Sequence, residues 1–346
     1  MYIYYFICFI VSLLILLWAV AINENMRINQ ILLIVITAIG NGGYYALAVS
    51  NGLENAILAN KLTYLIGIFS PMLILFNICQ VCKIKIRHWL VVALYTVQML
   101  LYLGVCSIGK YDFFYKTVEF HKGSGGAYLT KTYGPLHSIY IVTLVLYLAV
   151  SIVVSAYSFQ KKNKVSSQDI DILILASILI VGAYMLERVI HLNVELMPFV
   201  FTLGLIAILI PITKMAHYSI EENKELIQTK MKGTGYIFFS KNLRYMGCND
   251  YAEMFFPELK EWELEKKIPG SGGRFNTFLR QPFMKYVKAD QKEPTEGKPF
   301  VIKERCFHFA IRRLYSGKRH LGYIIELIDV TEFTDYSLQK GVCAED

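Results

Sequence analysis

Three ionisable residues, Glu187, Arg188 and His191, lie together at the end of a long apolar run. Charged groups at such positions are rare and usually face a protein interior. Glu187 and His191 are four residues apart, so a helix presents both on one face. We therefore take the three residues as a candidate sensor site for an unknown small extracellular ligand. The alternatives are a buried pair that ties helices together and ordinary solvation at a membrane interface.

The other motifs that could carry chemistry are incomplete. Cys79 and Cys82 form a C-x-x-C pair, but a zinc site needs a second pair or histidines at matching spacing. The run GSGG at 123–126 lacks the Lys-Ser/Thr of a phosphate-binding loop, and the seven histidines show no H-E-x-x-H or triad-like spacing. We therefore expect no metal site, no catalytic residues, no cofactor and no enzyme activity from this chain as it stands.

The composition indicates an apolar first half and a polar second half. Of the 346 residues 18% are charged, compared with about 25% in soluble proteins, and the mean hydropathy is +0.42. Residues 1–216 contain 14 Lys/Arg and 8 Asp/Glu, whereas residues 217–346 contain 21 and 19. The excess of positive charge lies mainly in the loops of the apolar half. We therefore predict no nucleic-acid partner.

Seven apolar stretches are long enough to cross a lipid bilayer, whose core of about 30 Å takes about 20 helical residues. They cover residues 2–22, 28–49, 62–81, 89–108, 135–159, 170–190 and 197–213. The first stretch has no basic residues before it and exceeds the apolar part of a signal peptide, so we interpret it as a retained helix. The sequence thus predicts an all-α polytopic membrane bundle of seven helices.

The lysines and arginines of the short loops predict the orientation of this bundle. With seven helices, Arg27, Lys214 and the dense clusters at 83–87 and 161–164 all fall on the same side. Since positively charged loops stay in the cytoplasm, we predict an outside N-terminus and a cytoplasmic C-terminus. The longest outside loop, 109–134, alternates over 115–120, which indicates a short β-hairpin over the bundle mouth. A plain connector is the alternative for this loop.

The polar half is predicted to be a connector followed by an α+β domain. A polar helix is predicted over 215–232, with too few apolar positions for a coiled coil. Five strands are predicted at 236–240, 243–248, 299–304, 306–315 and 320–330. A helix capped at Asn249-Asp250 and a second helix at about 275–287 lie between the second and third strands. The pattern is typical of a five-stranded antiparallel sheet with inserted helices.

The motifs of this second domain resemble those of a PAS domain. Its opening reads GYIFF at 235–239, RYMGCN at 244–249 and YAEMFFP at 251–257, and its ending reads LGYIIELIDVTE at 321–332. The ending is similar to the D-[IV]-T-E signature of the last PAS strand. In that family the Asp and Thr link the sheet to an exit helix. The resemblance therefore implies a signal-coupling role for Asp329, Thr331 and Glu332.

The apolar half resembles the seven-helix input region found ahead of bacterial histidine kinases and diguanylate cyclases. The resemblance rests on YLIGIFSP at 64–71, on YGPL at 133–136 followed by Tyr140, and on VELMP at 194–198. With the PAS resemblance it covers nearly the whole chain, and it implies a bacterial cytoplasmic membrane and a homodimer. The phospho-acceptor, ATP-binding and G-G-D/E-E-F motifs of such enzymes are not found up to Asp346.

The predicted organisation is a seven-helix sensor domain at 1–216, a connector helix at 217–232, a PAS-like domain at 233–332 and an exit helix or tail at 333–346. We predict a transmembrane signal receptor that lacks an output domain and acts on a separate output protein. One alternative is a truncated fragment of a membrane histidine kinase or diguanylate cyclase. Another is a transporter or channel with a regulatory domain, although no internal repeat is visible.

Overall fold

The computed structural model describes residues 1–22, 26–159, 165–190, 195–218, 233–270, 272–316 and 319–331. The chain divides into two compact units. The first unit comprises Met1–Gln160 and Gln168–Ile212, and the second comprises Lys161–Ser167 and Thr213–Asp346. Each unit has its own buried clusters of apolar side chains.

The first unit is a helical bundle. Over the described residues, seven helices are long and apolar enough to cross a membrane, which confirms the seven predicted spans. They are α1 Tyr2–Ile22, α2 Ile28–Ala48, α3 Leu53–Val81, α4 His88–Cys106, α5 Pro135–Ser158, α6 Ser167–Ile190 and α7 Met197–Tyr218. Helix α3 begins before the predicted residue 62 because polar residues such as Glu54 and Asn60 lower the local hydropathy without breaking the helix.

Helix α3 is the most buried of the seven. Its polar residues Asn60, Ser70 and Asn77 are at most 1% exposed. Helix α4 instead leaves large apolar side chains uncovered, among them Trp89 at 64% and Leu100 at 61% exposure. Such extensive apolar surface is rare on soluble proteins and is typical of a membrane-facing helix.

Glycines allow α2 and α3 to approach closely. A Cβ at Gly43 would lie 2.9 Å from the Thr63 backbone nitrogen and 3.0 Å from the Ala59 carbonyl oxygen. Backbone atoms of a packed helix have little room to move aside. Small residues at helix contacts are a common way for membrane helices to pack, because lipid tails supply no hydrophobic drive for association.

We expect Gly43→Ala to destabilise the bundle by about 1–3 kcal/mol, the usual effect of overpacking a tight contact. The midpoint of thermal unfolding of the full chain in detergent measures the loss. Gly182→Ala in α6 is the matched control, because a Cβ there meets nothing within 4 Å. Equal midpoints for the two variants would contradict the close contact between α2 and α3.

A β-hairpin joins α4 to α5, so the hairpin interpretation of this loop is confirmed. Strands β1 (Tyr115–Gly123) and β2 (Gly126–Tyr133) pair antiparallel around a tight turn. Gly126 in this turn has a φ of +131°, which residues with a Cβ rarely adopt. The hairpin belongs to the first unit and packs on the helices there.

The second unit contains an antiparallel sheet, as predicted. In the described part of the chain its strands are β3 Thr234–Ser240, β4 Tyr245–Cys248, β5 Thr295–Glu296, β6 Phe300–Ile302, β7 Arg305–Ser316 and β8 Arg319–Asp329. The order is β4-β3-β8-β7-β5, and β6 also pairs with β7. There are six strands rather than five because the two residues of β5, too few to give an alternating pattern, pair with β7.

Short helices lie between β4 and β5, where they were predicted. They are α8 (Asp250–Phe255), a 3₁₀ turn (Pro257–Lys260), α9 (Gly273–Phe278) and α10 (Arg280–Lys288). The Asn249 side chain accepts a hydrogen bond from the Ala252 N–H and so caps α8, as predicted. The helix predicted at 275–287 is two helices that meet at Leu279, whose side chain is fully buried.

Aromatic side chains form the core between these helices and the sheet. Phe239, Phe275 and Phe283 are fully buried, and the Phe239 ring centroid lies 4.6 Å from that of Phe283. Tyr236 and Phe238 alternate with Phe239 along β3 and form a second cluster with other residues. These aromatics therefore form the hydrophobic core of the second unit, whereas the expected absence of a cofactor stays a prediction.

Two predicted segments lie partly or wholly outside the described residues. Helix α7 continues to Tyr218, so the connector predicted at 217–232 begins as a helix. Residues 219–232 and the exit helix or tail predicted at 333–346 are outside the described part.

Candidate sensor site and signal path

The hairpin presents a lysine among apolar residues on its inner face. Along β2, Ala127, Leu129 and Lys131 are more buried than the residues between them, which are exposed. Leu129 and Phe120 pack against buried residues of α2 and α3. Because every second side chain of a strand faces the same side, Lys131 also faces the bundle.

Lys131 starts a chain of hydrogen bonds that leads into the bundle. Its Nζ donates to Asn60 Oδ1 at 2.9 Å, and Asn60 on α3 is 1% exposed. Asn60 Nδ2 donates to the Tyr115 hydroxyl at 3.3 Å, which in turn donates to the Tyr64 hydroxyl at 2.6 Å. The Lys131 Nζ also lies 5.6 Å from the centroid of the Tyr115 ring, within the range of cation–π attraction.

Aromatic rings surround this chain of hydrogen bonds. The His137 ring stacks on Tyr133 with centroids 3.9 Å apart, and it makes edge contacts with Tyr64, Phe114 and Tyr140. Tyr133 is 40% exposed, whereas His137 and Tyr140 are buried. We call the following residues the hairpin cluster: Asn60, Tyr64, Phe114, Tyr115, Lys131, Tyr133, His137 and Tyr140.

The hairpin cluster holds a positive charge that the described carboxylates do not neutralise at contact distance. Among the described residues, no Asp or Glu oxygen lies within 4 Å of Lys131 Nζ. Burial alone would lower the pKa of Lys131, but its interactions with Tyr115 and, at longer range, Glu195 outweigh burial and raise the pKa. Burial also raises the pKa of Tyr115. At neutral pH the site therefore combines the Lys131 ammonium with the neutral phenol of Tyr115.

Of the three predicted sensor residues, only Glu187 has a described side chain. The Glu187 carboxylate accepts hydrogen bonds from the backbone N–H groups of Leu196 and, at 2.9 Å, Met197. It thereby caps the N-terminus of α7, where a negative charge is stabilised by the helix dipole. Arg188 belongs to α6, but its side chain is outside the described part, as is His191. Their proposed sensing role stays a prediction.

The first turns of α7 are tied to neighbouring helices of the first unit. The Glu195 N–H donates to the Tyr5 hydroxyl of α1 at 3.0 Å. Asn41 Nδ2 of α2 donates to Thr202 Oγ1 at 2.8 Å, and both side chains are buried. With the Glu187 cap, these bonds connect the start of α7 to three other helices.

The last turn of α7 makes polar contacts inside the second unit. Lys214 Nζ forms an ion pair of 2.8 Å with Glu265 Oε1, and the Glu265 side chain is only 10% exposed. The Tyr218 hydroxyl donates to the Leu321 carbonyl oxygen of β8 at 3.0 Å, and the Tyr218 side chain packs on the cluster that contains Tyr236 and Phe238. The end of α7 therefore bonds directly to the sheet domain.

The predicted signal-coupling residues Asp329 and Thr331 are joined at the end of β8. Asp329 Oδ1 accepts hydrogen bonds from the Thr331 N–H at 3.1 Å and from its hydroxyl. Asp329 Oδ2 accepts from Arg305 at 2.8 Å and from the Tyr251 hydroxyl at 2.9 Å. The Thr331 hydroxyl accepts from the Cys306 N–H at 3.0 Å. Glu332 is outside the described residues.

Hydrogen bonding determines the charge state of Asp329. Burial alone would raise the pKa of this carboxyl group. The bonds from Thr331, Arg305 and Tyr251 more than offset burial, so the pKa is lowered from its ordinary value. Asp329 is therefore a carboxylate at neutral pH, and it holds β8, β7 and α8 together at the sheet exit.

The comparison with known proteins concerns the helical bundle and not the sheet domain. The seven helices define a multi-pass membrane protein. Residues 4–220 match the family described as the N-terminal 7TM region of histidine kinase, and the chain belongs to this family. The match ends before the sheet domain, and a search of the curated proteins finds no match.

The sequence alone did not single out Lys131, Asn60 or His137. In the sequence Lys131 is one of several lysines in the loop at 109–134. Its position in the alternation of β2, with Leu129 two residues before it, is the signal that distinguishes it from the exposed hairpin lysines 116 and 122. Asn60 and His137 become recognisable only when α3, β1 and α5 are brought together in space.

Proposed function

We propose that this chain is the sensory input region of a bacterial signalling protein of the histidine kinase or diguanylate cyclase type. The bundle receives a stimulus at the hairpin end, and the sheet domain, which we propose to be PAS-like, passes it to an output domain or a separate output protein. The observation that carries this proposal is the continuity of α7. One helix begins at the Glu187 cap and ends on the sheet domain with Tyr218.

The continuous helix gives a physical route for the signal. Its 22 residues span about 33 Å, at 1.5 Å per residue. Pro211 lies inside α7, where it removes one backbone hydrogen bond and permits bending. A stimulus that favours one packing of the bundle would shift α7 and so the contacts of Lys214 and Tyr218. It can do so only if it interacts more favourably with one packing than with the other.

We also propose an outside N-terminus and a cytoplasmic C-terminus, in a homodimer of the bacterial cytoplasmic membrane. The positively charged loops support this orientation. We expect alkaline phosphatase, which is active only outside the cytoplasm, to be active when fused after Gly125 in the hairpin turn. The same enzyme fused after Lys83 is expected to be inactive. The opposite pattern of activities would overturn the orientation.

A chimera tests the sensory function without knowledge of the stimulus. Residues 1–332 are joined to the catalytic core of a histidine kinase, and autophosphorylation is measured in membranes. We expect Glu187→Ala, which removes the cap of α7, to change the activity several-fold. Glu54→Ala in the exposed first turn of α3 is the matched control and should leave it unchanged. An unchanged activity in the Glu187 variant would count against a signal carried by α7.

A further inference from the structure

Packing alone does not explain why the hairpin places Lys131 on its inner face. Lys131 lies opposite Val118 of β1 and two residues from Leu129, on a face that otherwise packs apolar side chains. An ammonium group has three donors, and for Lys131 the described hydrogen-bond acceptor is Asn60 Oδ1. The exposed Lys122 on β1 makes an equivalent bond, to Asn51 Oδ1 at 2.8 Å, at the surface. An inward ammonium is therefore not needed merely to bind an asparagine.

The charge of Lys131 selects the kind of ligand that the hairpin cluster can hold. Aromatic rings around a site often bind cations, but here the ammonium over the Tyr115 ring already occupies such a position and would repel a second cation. The single positive charge of Lys131 is matched by the single negative charge of a carboxylate, whereas a phosphate monoester, with a charge of about −1.5 to −2, would leave excess negative charge in the site. The Lys131 ammonium thus fits a carboxylate.

The aromatic rings of the hairpin cluster indicate which group the ligand carries beside its carboxylate. Tyr133 lies two residues after Lys131 on β2, and its ring stacks on the buried His137 at an interplanar angle of 23°. Because Tyr133 is 40% exposed, its ring offers a flat aromatic surface at the rim of the cluster. Offset stacking and edge contacts favour an aromatic partner on such a surface. The phenol of Tyr115 is neutral and does not repel an anion.

We propose that the hairpin cluster binds a small aromatic carboxylic acid, with its carboxylate on Lys131 and its ring against the exposed ring of Tyr133. This inference rests on the proposed sensory function, because it assigns the ligand class of the same end of the bundle. Tyr64 and Tyr140, deeper in the cluster, connect the site to α3 and α5. A ligand at the rim would thus affect the packing of α3 against α5.

Fluorine NMR of the full chain in detergent tests this proposal. The probes are 4-fluorobenzoate, its neutral counterpart 4-fluorobenzamide and the cationic 4-fluorobenzylamine, and line broadening reports binding. We expect the wild type to bind the acid in preference to both other probes. Lys131→Met keeps the length of the side chain but removes its charge. It should weaken binding of the acid about 10- to 100-fold, the range expected when a hydrogen bond to a charged group is lost.

Two controls separate binding from folding. Lys122→Met removes the other hairpin lysine that bonds an asparagine and should bind the acid like the wild type. Lys131→Arg keeps the charge and should retain the preference for the acid over the amide. The proposal is overturned if the wild type binds the amide as well as the acid, if it fails to bind the acid at millimolar concentration, or if Lys131→Met binds the acid normally. None of these outcomes involves signalling, so the chimera remains an independent test of the proposed function.

Discussion

Asp329→Ala is expected to uncouple the sheet domain from its output while the domain stays folded. The substitution removes the acceptor for Thr331, Arg305 and Tyr251 at the point where β8 ends. Hydrogen bonds to a charged group contribute about 1.5–3 kcal/mol each and are not additive, so we expect a loss of about 2–4 kcal/mol in the free energy of unfolding. That loss is smaller than the about 5–15 kcal/mol of a typical domain.

The measurement combines thermal unfolding of the full chain with autophosphorylation of the chimera. We expect the Asp329 variant to be folded and to have an activity that no longer responds to Glu187→Ala. Asp290→Ala is the matched control, because Asp290 also pairs with an arginine, Arg313, but its side chain is 80% exposed. Exposed pairs contribute little, about 0–1 kcal/mol. If the Asp329 variant still responds normally to Glu187→Ala, the contact between Asp329 and Thr331 has no part in signal coupling.

The contribution of Asp329 also depends on pH in a defined direction. Its pKa is lowered in the folded chain, so the folded state favours the charged carboxylate. The stabilisation is therefore complete above the unfolded pKa of about 3.9 and is lost as the pH falls through the lower, folded value. We expect the stability difference between the wild type and Asp329→Ala to be constant near neutral pH and to shrink below about pH 4.

Breaking the ion pair between Lys214 and Glu265 is expected to lower both the stability of the chain and the response of the chimera. Glu265 has a φ of +64°, and its backbone bonds to Tyr245 and Arg244 hold it in place. Its carboxylate is nearly buried, so Lys214→Met leaves a charge without its cation. We expect a loss of about 1–3 kcal/mol, less than for a fully buried pair because the Lys214 side chain is 33% exposed.

A double-mutant cycle measures this pair. Glu265→Gln should cost less stability in the Lys214→Met background than in the wild type, because the carboxylate is already unpaired there. The chimera carrying Lys214→Met should also respond less to Glu187→Ala. Lys266→Met, at an exposed lysine next to Glu265, is the control and should behave like the wild type. Additive effects of the two substitutions would show that the pair contributes nothing.

Local patterns of the sequence were enough to predict the elements of the fold. Hydropathy over 20 residues identifies a membrane helix, alternation identifies β1, and runs of apolar and aromatic residues bounded by turn residues identify β3, β7 and β8. The strand β5 was not predicted because its two residues are too few to show a pattern. The break between helices at Leu279 was not predicted because it depends on packing in the core. The length of α3 was underestimated since its first turns carry polar residues, of which Asn60 binds the hairpin.

The candidate site was predictable only in part. Asp329 and Thr331 were identified through the resemblance of the ending at 321–332 to a PAS signature, and the structure shows a local hydrogen bond between them, two residues apart. Lys131 and Asn60 are 71 residues apart, and their hydrogen bond depends on the register of the hairpin on the bundle. Glu187 was identified as an unusual charge, but its bonds to the start of α7 depend on how α6 and α7 meet. Sequence can thus point to a residue whose partner only the tertiary structure supplies.

The most direct test of the account is hydrogen–deuterium exchange of the full chain in lipid nanodiscs. The backbone amides of β3 and β8 are followed in the wild type, in Glu187→Ala and in the Glu54→Ala control. A signal path through α7 predicts altered exchange in these strands in the Glu187 variant alone, although Glu187 and the sheet belong to different units. Unchanged exchange in β3 and β8, with faster exchange confined to the start of α7, would contradict the account.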